Sequence, residues 1–161
     1  MGMKIAVGSD HGGFDLKKRL IDNLETDVDE IIDEGVFDKS PADYPDAAER
    51  VALRVAGGAV DFGILICTTG IGMSIAANKV DGIRAALVCD IERAGMARRH
   101  NDANILCLGA RFIDFDIAVE AARIFISTDF DGEKTDGERH KRRVNKISLI
   151  EHRNINRQEK K

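Results

Sequence analysis

Short runs of apolar residues alternate along this chain with segments in which apolar residues recur every three or four positions. A continuous short run is typical of a buried strand, whereas the longer recurrence predicts a helix with one buried face. Strands are predicted at residues 4–8, 28–32, 62–67, 83–88 and 105–108. Helices are predicted at residues 14–24, 45–56, 70–79, 91–100 and 113–126.

The order of these elements predicts the fold class. The strands are apolar throughout, so helices must cover both faces of the sheet, as they do in parallel sheets. We therefore predict one α/β domain over residues 1–153, a three-layer α/β/α sandwich around a Rossmann-like, doubly wound, five-stranded parallel sheet. The acidic, glycine-containing segment 129–138 is predicted to be a mobile loop. From about residue 139 a basic amphipathic helix is predicted to dock on a partner subunit, and residues 154–161 form a polar tail.

Composition narrows the class of protein. The 161 residues are 43% hydrophobic and 32% charged, with a formal net charge of -4, as in ordinary globular domains. Proteins that bind nucleic acids or membrane surfaces usually carry a basic excess, which this chain lacks. No apolar run approaches the length of a membrane span, and no signal-peptide core is visible, so we expect a cytoplasmic protein.

Three cysteines bear on the chemistry. Cys67, Cys89 and Cys107 are far apart and form no C-x-x-C pair, which excludes zinc ribbons and thioredoxin-type motifs. Free thiols in a reducing compartment fit this pattern. Cys89 and Cys107 are expected to be small buried hydrophobic residues.

Polar residues at the strand ends are the candidate site, because ligands of open parallel sheets bind beyond the carboxyl ends of the strands. The third strand ends in Cys67 and a turn whose backbone amides, from Thr69 to Gly72, could hold an anion. A thiol beside such amides can act as a base, although a cysteine there is more often a buried packing residue. Asp10-His11 and His100-Asn101 could equally be helix caps, and the basic cluster at 139–143 could be a solvated helix face.

Five motifs are distinctive when they are taken together. They are G-S-D-H-G-G at 8–13, D-Y-P at 43–45, A-G-G-A-V-D-F-G-I-L-I-C-T-T-G-I-G-M-S-I-A-A-N-K at 56–79, G-I-R-A-A-L at 82–87 and R-R-H-N-D-A-N-I-L at 98–106. With them the chain resembles the ribose-5-phosphate isomerase B family, which also includes galactose-6-phosphate isomerase subunits. The resemblance runs from residue 3 to about residue 153, and Cys67 favours the bacterial type with a cysteine base.

This resemblance implies roles for individual residues. Cys67 would move a proton between C2 and C1, Thr69 would help to hold the enediolate, and Asp10 and His100 would assist ring opening. Other residues of the implied site contact the substrate. The turn contributes Thr68 (usually glycine in the family), Gly70, Ile71 and Gly72. The phosphate would be bound by His11, Arg139 and Arg143, with Arg111 nearby, and the sugar pocket would be lined by Tyr44 and Asn101. Family members are dimers or tetramers in which His100, Asn101 and the arginines reach a partner's site.

The implied reaction interconverts D-ribose 5-phosphate and D-ribulose 5-phosphate through an enediolate, in the non-oxidative pentose phosphate pathway. It requires no cofactor, and the sequence shows no metal-ligand spacing. One alternative is an isomerase of six-carbon aldose 6-phosphates, such as allose or galactose 6-phosphate. Another is a sugar-phosphate binding module without activity. A dinucleotide-dependent dehydrogenase is disfavoured because no dinucleotide fingerprint follows the first strand.

Overall fold

The computed structural model describes residues 2–158 and contains one parallel sheet within that range. The strands are β1 Lys4–Ser9, β2 Glu30–Asp33, β3 Phe62–Cys67, β4 Ala85–Leu87 and β5 Ile105–Gly109, and they lie in the order β2-β1-β3-β5-β4. The helices are α1 Phe14–Leu24, α2 Tyr44–Ala56, α3 Ile71–Ala77, α4 Ile91–Asn101, α5 Phe115–Ser127 and α6 Glu138–Gln158. The predicted three-layer α/β fold is confirmed.

Both faces of the sheet are buried, which explains why its strands are apolar throughout. Successive strand residues point to opposite faces. Thus Ile5 and Val7 join the core beneath α1, α4 and α5, whereas Ala6 joins the core beneath α2 and α3. None of the helices within residues 2–158 is both long and apolar enough to cross a membrane.

The observed elements differ from the predicted ones mainly at their ends. Strand β4 is shorter than predicted and begins at Ala85, because the amide of the preceding Arg84 donates to the side chain of Asn104 at 2.8 Å. The amide and the carbonyl of Ala85 bond to the side chain of Asn78, which covers the unpaired side of this edge strand. Helix α4 continues to Asn101 and ends at Asp102, whose backbone is left-handed with φ 46°.

The segment 129–138 is not the open mobile loop that its composition predicts. It contains a 3₁₀ turn, Asp131–Glu133, which packs against α4 and α6. Two of its five acidic groups are paired: Lys134 lies 2.6 Å from Asp131, and Lys141 lies 3.0 Å from Glu133. Helix α6 also extends through residues 154–158 of the predicted polar tail, while residues 159–161 lie outside the described residues.

A buried lysine joins α1 to the end of β2. Lys17 is only 1% exposed, and its Nζ donates to both carboxylate oxygens of Asp33 and, at 2.8 Å, to the carbonyl of Val36. The rings of Phe14 and Phe37 flank the ammonium group, with centroids 5.8 and 5.2 Å from Nζ. These contacts hold the start of the segment that leads to α2.

Replacing Lys17 by methionine is expected to lower the free energy of unfolding by about 3 kcal/mol, because the carboxylate of Asp33 loses its cation in a partly buried position. Urea denaturation of the two proteins measures this difference. The double variant Lys17→Met, Asp33→Asn leaves no unpaired charge and should recover part of the loss. Equal urea midpoints for the wild type and Lys17→Met, with equal slopes, would show that the ion pair adds no stability.

Candidate active site

The turns that follow β1 and β3 lie side by side at the carboxyl edge of the sheet. From β1 the chain turns to β2 on one side and then crosses to β3 on the other, so the connections diverge between β1 and β3. Such a switch point opens a crevice in which ligands of this fold bind. The amide of Asp10 donates to the carbonyl of Ile66 at 3.3 Å, which joins the two turns directly.

Cys67 ends β3 at this crevice. Its side chain is 4% exposed and packs in the core beneath α2 and α3. Its Sγ accepts a hydrogen bond from the amide of Gly70 at 3.1 Å. This donor helps to carry negative charge on the sulfur once the thiol has given up its proton. Cys67 thus lies in a site that is shielded from water and has a hydrogen-bond donor beside the sulfur. A thiolate that removes a proton from carbon needs both features.

The turn after Cys67 depends on glycine. Gly70 has φ 75°, and a Cβ there would clash with Leu87 and lie 2.9 Å from the carbonyl carbon of Leu108. The amide of Ile71 donates to Thr69 Oγ1 at 3.3 Å. Two of the amides predicted to form the anion cradle, those of Gly70 and Ile71, therefore already have acceptors within the turn.

Four further predicted site residues lie around this turn. Asp10 is buried, and its Oδ1 accepts from the amide of Gly13 at 3.0 Å. His11 Nδ1 accepts from the amide of Ala42 at 3.2 Å, which makes Nε2 the protonated nitrogen of the neutral ring. The ring of Tyr44 lies against Gly72, where a Cβ would come within 2.6 Å of Cζ. The amide of Arg111 donates to the carbonyl of Thr68 at 3.1 Å.

The remaining predicted residues lie at the other end of the molecule. Helix α4 runs back from the carboxyl edge, so His100 and Asn101 at its end lie near the amino edge of the sheet. There the carbonyl of Asn101 accepts from Arg84, the residue before β4, at 3.2 Å. A single chain therefore does not bring His100, Asn101, Arg139 and Arg143 together with Cys67.

A positively charged cluster surrounds His100 at this amino edge. The ring of His100 stacks on that of His140, with centroids 4.4 Å apart and an angle of 5° between the planes. Arg139 Nε donates to His140 Nε2 at 3.1 Å. Burial lowers the pKa of His140, the charges of His100, Arg139 and Arg143 lower it further, and the nearby carboxylate of Asp131 opposes them. The cluster is suited to an anion.

Sequence patterns did not identify His140 as a packed residue, although a signal was present. His140 lies four residues before Val144 and seven before Ile147, which places all three on one face of α6. The structure buries His140 and Val144 on that face. The interpretation of segment 139–143 as a uniformly solvated surface is therefore wrong at His140.

The other two cysteines differ from each other. Burial, with a smaller contribution from nearby Cys67, raises the pKa of the Cys107 thiol, so Cys107 stays neutral as a buried packing residue should. The same expectation is wrong for Cys89, which is exposed and lies 2.9 Å from Nη1 of Arg93. Cys89 follows the short edge strand β4 and lines a cavity at the carboxyl edge of the sheet with Thr69 and Phe112. Among the described residues, no group of three or more His, Cys, Asp or Glu side chains could hold a metal ion.

Comparisons with known proteins agree with this arrangement. A family model described as Ribose/Galactose Isomerase matches residues 5–147. Ribose-5-phosphate isomerase B of Escherichia coli is 44% identical over 150 residues, which are 93% of this chain and 97% of that protein.

Two solved structures share the fold over nearly their whole length. Ribose-5-phosphate isomerase B of Clostridium thermocellum has a TM-score of 0.88 and 46% identity, covering 94% of this chain and 99% of that one. The Mycoplasma genitalium enzyme, solved with bound ribulose 5-phosphate, has a TM-score of 0.86 and 39% identity, covering 94% and 98%.

Proposed function

The chain belongs to the ribose/galactose isomerase family, and on that premise we propose that it interconverts D-ribose 5-phosphate and D-ribulose 5-phosphate. It is an isomerase, like the relatives that are named ribose-5-phosphate isomerase B. We propose a five-carbon substrate, and not a six-carbon aldose phosphate, because the relatives described above are ribose-5-phosphate isomerases. The reaction belongs to the pentose phosphate pathway, and a cytoplasmic location remains a prediction from the sequence.

The observation that carries this proposal is the position of Cys67 at the crevice between β1 and β3. Its Sγ is shielded from water, and the Gly70 amide lies 3.1 Å from it. A proton next to a carbonyl is weakly acidic, so its removal needs both a base and donors for the developing oxyanion. The turn beside Cys67 supplies a hydroxyl on Thr69 and the backbone amides of α3.

In the proposed mechanism the thiolate of Cys67 removes the proton from C2 of the open-chain aldose. The C2–H electron pair forms the C1=C2 double bond of the enediolate, and the carbonyl oxygen takes the negative charge. The hydroxyl of Thr69 and the amide of Gly72 donate to this oxygen, since the amides of Gly70 and Ile71 already have acceptors within the turn. Cys67 then returns the proton to C1, the proton on the C2 hydroxyl moves to the O1 oxyanion, and the ketose forms. No redox partner is needed, because C1 is reduced while C2 is oxidised within the same molecule.

Asp10 and His100 are proposed to open the furanose ring by moving a proton between the ring oxygen and the anomeric hydroxyl. His11, Arg111, Arg139 and Arg143 are proposed to bind the phosphate, with Tyr44 and Asn101 against the sugar. Because His100, Asn101, Arg139 and Arg143 lie at the amino edge, they reach Cys67 only if a second copy presents that edge.

We therefore propose a homodimer, or a tetramer built from such dimers, in which each site combines the carboxyl edge of one copy with the amino edge of another. Apolar side chains around the Cys67 edge are exposed in the single chain: Ile71 at 52%, Phe112 at 66% and Leu87 at 41%. Exposed apolar groups clustered beside a polar site are typical of surfaces that another protein covers.

An activity assay tests the function directly. We expect the purified protein to convert D-ribose 5-phosphate to D-ribulose 5-phosphate at the same rate with and without a chelator, because the proposed base is a thiol. Catalytic efficiency on D-allose 6-phosphate and D-galactose 6-phosphate should be at least about tenfold lower, as one carbon is worth roughly this much in a fitted pocket. Binding of ribose 5-phosphate by calorimetry without turnover would instead support a binding module.

A further inference from the structure

Thr68 stands between the turns that follow β1, β3 and β5. Its hydroxyl lies so close to Gly12 that a Cβ on Gly12 would clash with Oγ1. Asp10 Oδ1 lies 3.3 Å from the same Cβ position. On the other side, the carbonyl of Thr68 accepts from the amide of Arg111 at 3.1 Å. The backbone of Thr68 is thus bonded to the turn after β5, and its side chain lies against Gly12 in the turn after β1.

This side chain lies where a substrate must fit. Thr68 directly follows the buried Cys67, yet Thr68 itself is exposed at the opening of the crevice. With Gly12 opposite, the hydroxyl and methyl groups form part of the wall between the β1 and β3 turns. Gly12 has no side chain to narrow the crevice, whereas the side chain of Thr68 narrows it from the β3 side.

An aldose phosphate is held at two points in the proposed site. Its reacting carbons must lie at Cys67, and its phosphate must lie among the basic side chains. A sugar with one more carbon between these points is too long to lie straight, so it has to bend towards a wall of the crevice. A wall that does not yield then disfavours the longer substrate, by about 10-fold to 200-fold for one carbon.

We propose that Thr68 is a specificity-determining residue, whose side-chain volume against Gly12 favours five-carbon over six-carbon aldose phosphates. This inference rests on the proposed function and concerns the same site. The volume of the side chain decides the preference, and its hydroxyl does not. Glycine at this position widens the crevice, whereas valine, which has the shape of threonine, leaves it as narrow.

The experiment compares kcat/KM for D-ribose 5-phosphate and D-allose 6-phosphate in the wild type, Thr68→Gly and Thr68→Val. Thr68→Gly should shift the ratio at least tenfold towards the six-carbon substrate, and Thr68→Val should keep the wild-type ratio. If Thr68→Gly fails to fold by thermal melting, Thr68→Ala carries the same expectation. Thr26→Gly is the matched control, since Thr26 lies in the exposed turn after α1 at the opposite edge of the sheet.

The outcomes separate this inference from the proposed function. A wild-type protein that turns over no aldose phosphate contradicts the proposed function. A wild-type protein that is active on ribose 5-phosphate, with the same ratio in Thr68→Gly, contradicts only the role of Thr68. An equal shift in Thr68→Val also contradicts only the role of Thr68, because it would assign selectivity to the hydroxyl. A wild-type preference for allose 6-phosphate would contradict both the five-carbon substrate of the proposed function and the role of Thr68.

Discussion

Replacement of Cys67 by alanine is expected to lower kcat/KM for D-ribose 5-phosphate by roughly 10²–10⁴-fold, the usual contribution of a positioned base. The fold should survive, because alanine fills most of the space of a small buried thiol and the Gly70 amide stays beside the crevice. Steady-state kinetics with a spectroscopic assay of ribulose 5-phosphate measures the loss. Binding of a substrate analogue should persist, since the lost group acts on the reacting carbons.

Cys107→Ala is the matched control for this experiment. Cys107 is also a buried cysteine on the same face of the sheet, but it lies on β5 and does not face the turn. Its replacement should leave catalysis unchanged. If Cys67→Ala were fully active, another group would have to be the base. Equal losses in both variants would point to a general effect of disturbing the core.

Mixing two inactive variants is expected to restore activity. In the proposed dimer, one site pairs Cys67 of the first copy with His100 of the second, and the other site has the reverse pairing. A mixed dimer of Cys67→Ala and His100→Ala copies therefore contains one site with both mutations and one with neither. Random exchange makes about half of the dimers mixed, so about a quarter of wild-type activity should return. The measurement is the rate after the two variants are co-refolded at equal concentration.

The control for this mixture is Cys67→Ala combined with Thr69→Ala. Both residues belong to the carboxyl edge of the same copy, so each site of a mixed dimer keeps one defect and no wild-type site forms. Recovery with His100→Ala but not with Thr69→Ala supports a site shared between copies. If neither mixture recovers while both variants form dimers by sedimentation, the sharing of residues is contradicted.

Most of the fold could be predicted from the sequence because burial on both faces leaves a clear pattern. Strand β3 and helix α1 have the predicted bounds, because the continuous apolar run and the helical recurrence begin and end there at polar residues or glycines. The pattern was less informative at β4, where Ile83 and Val88 are buried but the strand comprises only residues 85–87. The amide of Arg84, just before the strand, donates to the side chain of Asn104, and hydrophobicity carries no information about such a bond.

The candidate site could be predicted only in part. The strand order, which places β1 beside β3, brings Asp10, Cys67 and Thr69 to one edge, as polar residues at strand ends indicate. The location of His100 at the other edge depends on the direction of α4, which follows from the fold but does not appear in any motif. The ordered turn in the segment 129–138 was missed because its composition is acidic, whereas one of the two lysines that pair with it, Lys141, lies outside the segment in α6.

The placement of Cys67 and His100 at opposite edges has a consequence for how copies can assemble. Each copy carries one half of an active site at its carboxyl edge and the other half at its amino edge. Copies that bind head to tail could therefore form an open filament, with an incomplete active site at each end. In a dimer with a twofold axis, every half-site is paired with a complementary half-site of the other copy, so assembly stops at a closed dimer. Its two sites are then made and lost together. On dilution below the dissociation constant of the pair, activity per volume should fall with the square of the protein concentration.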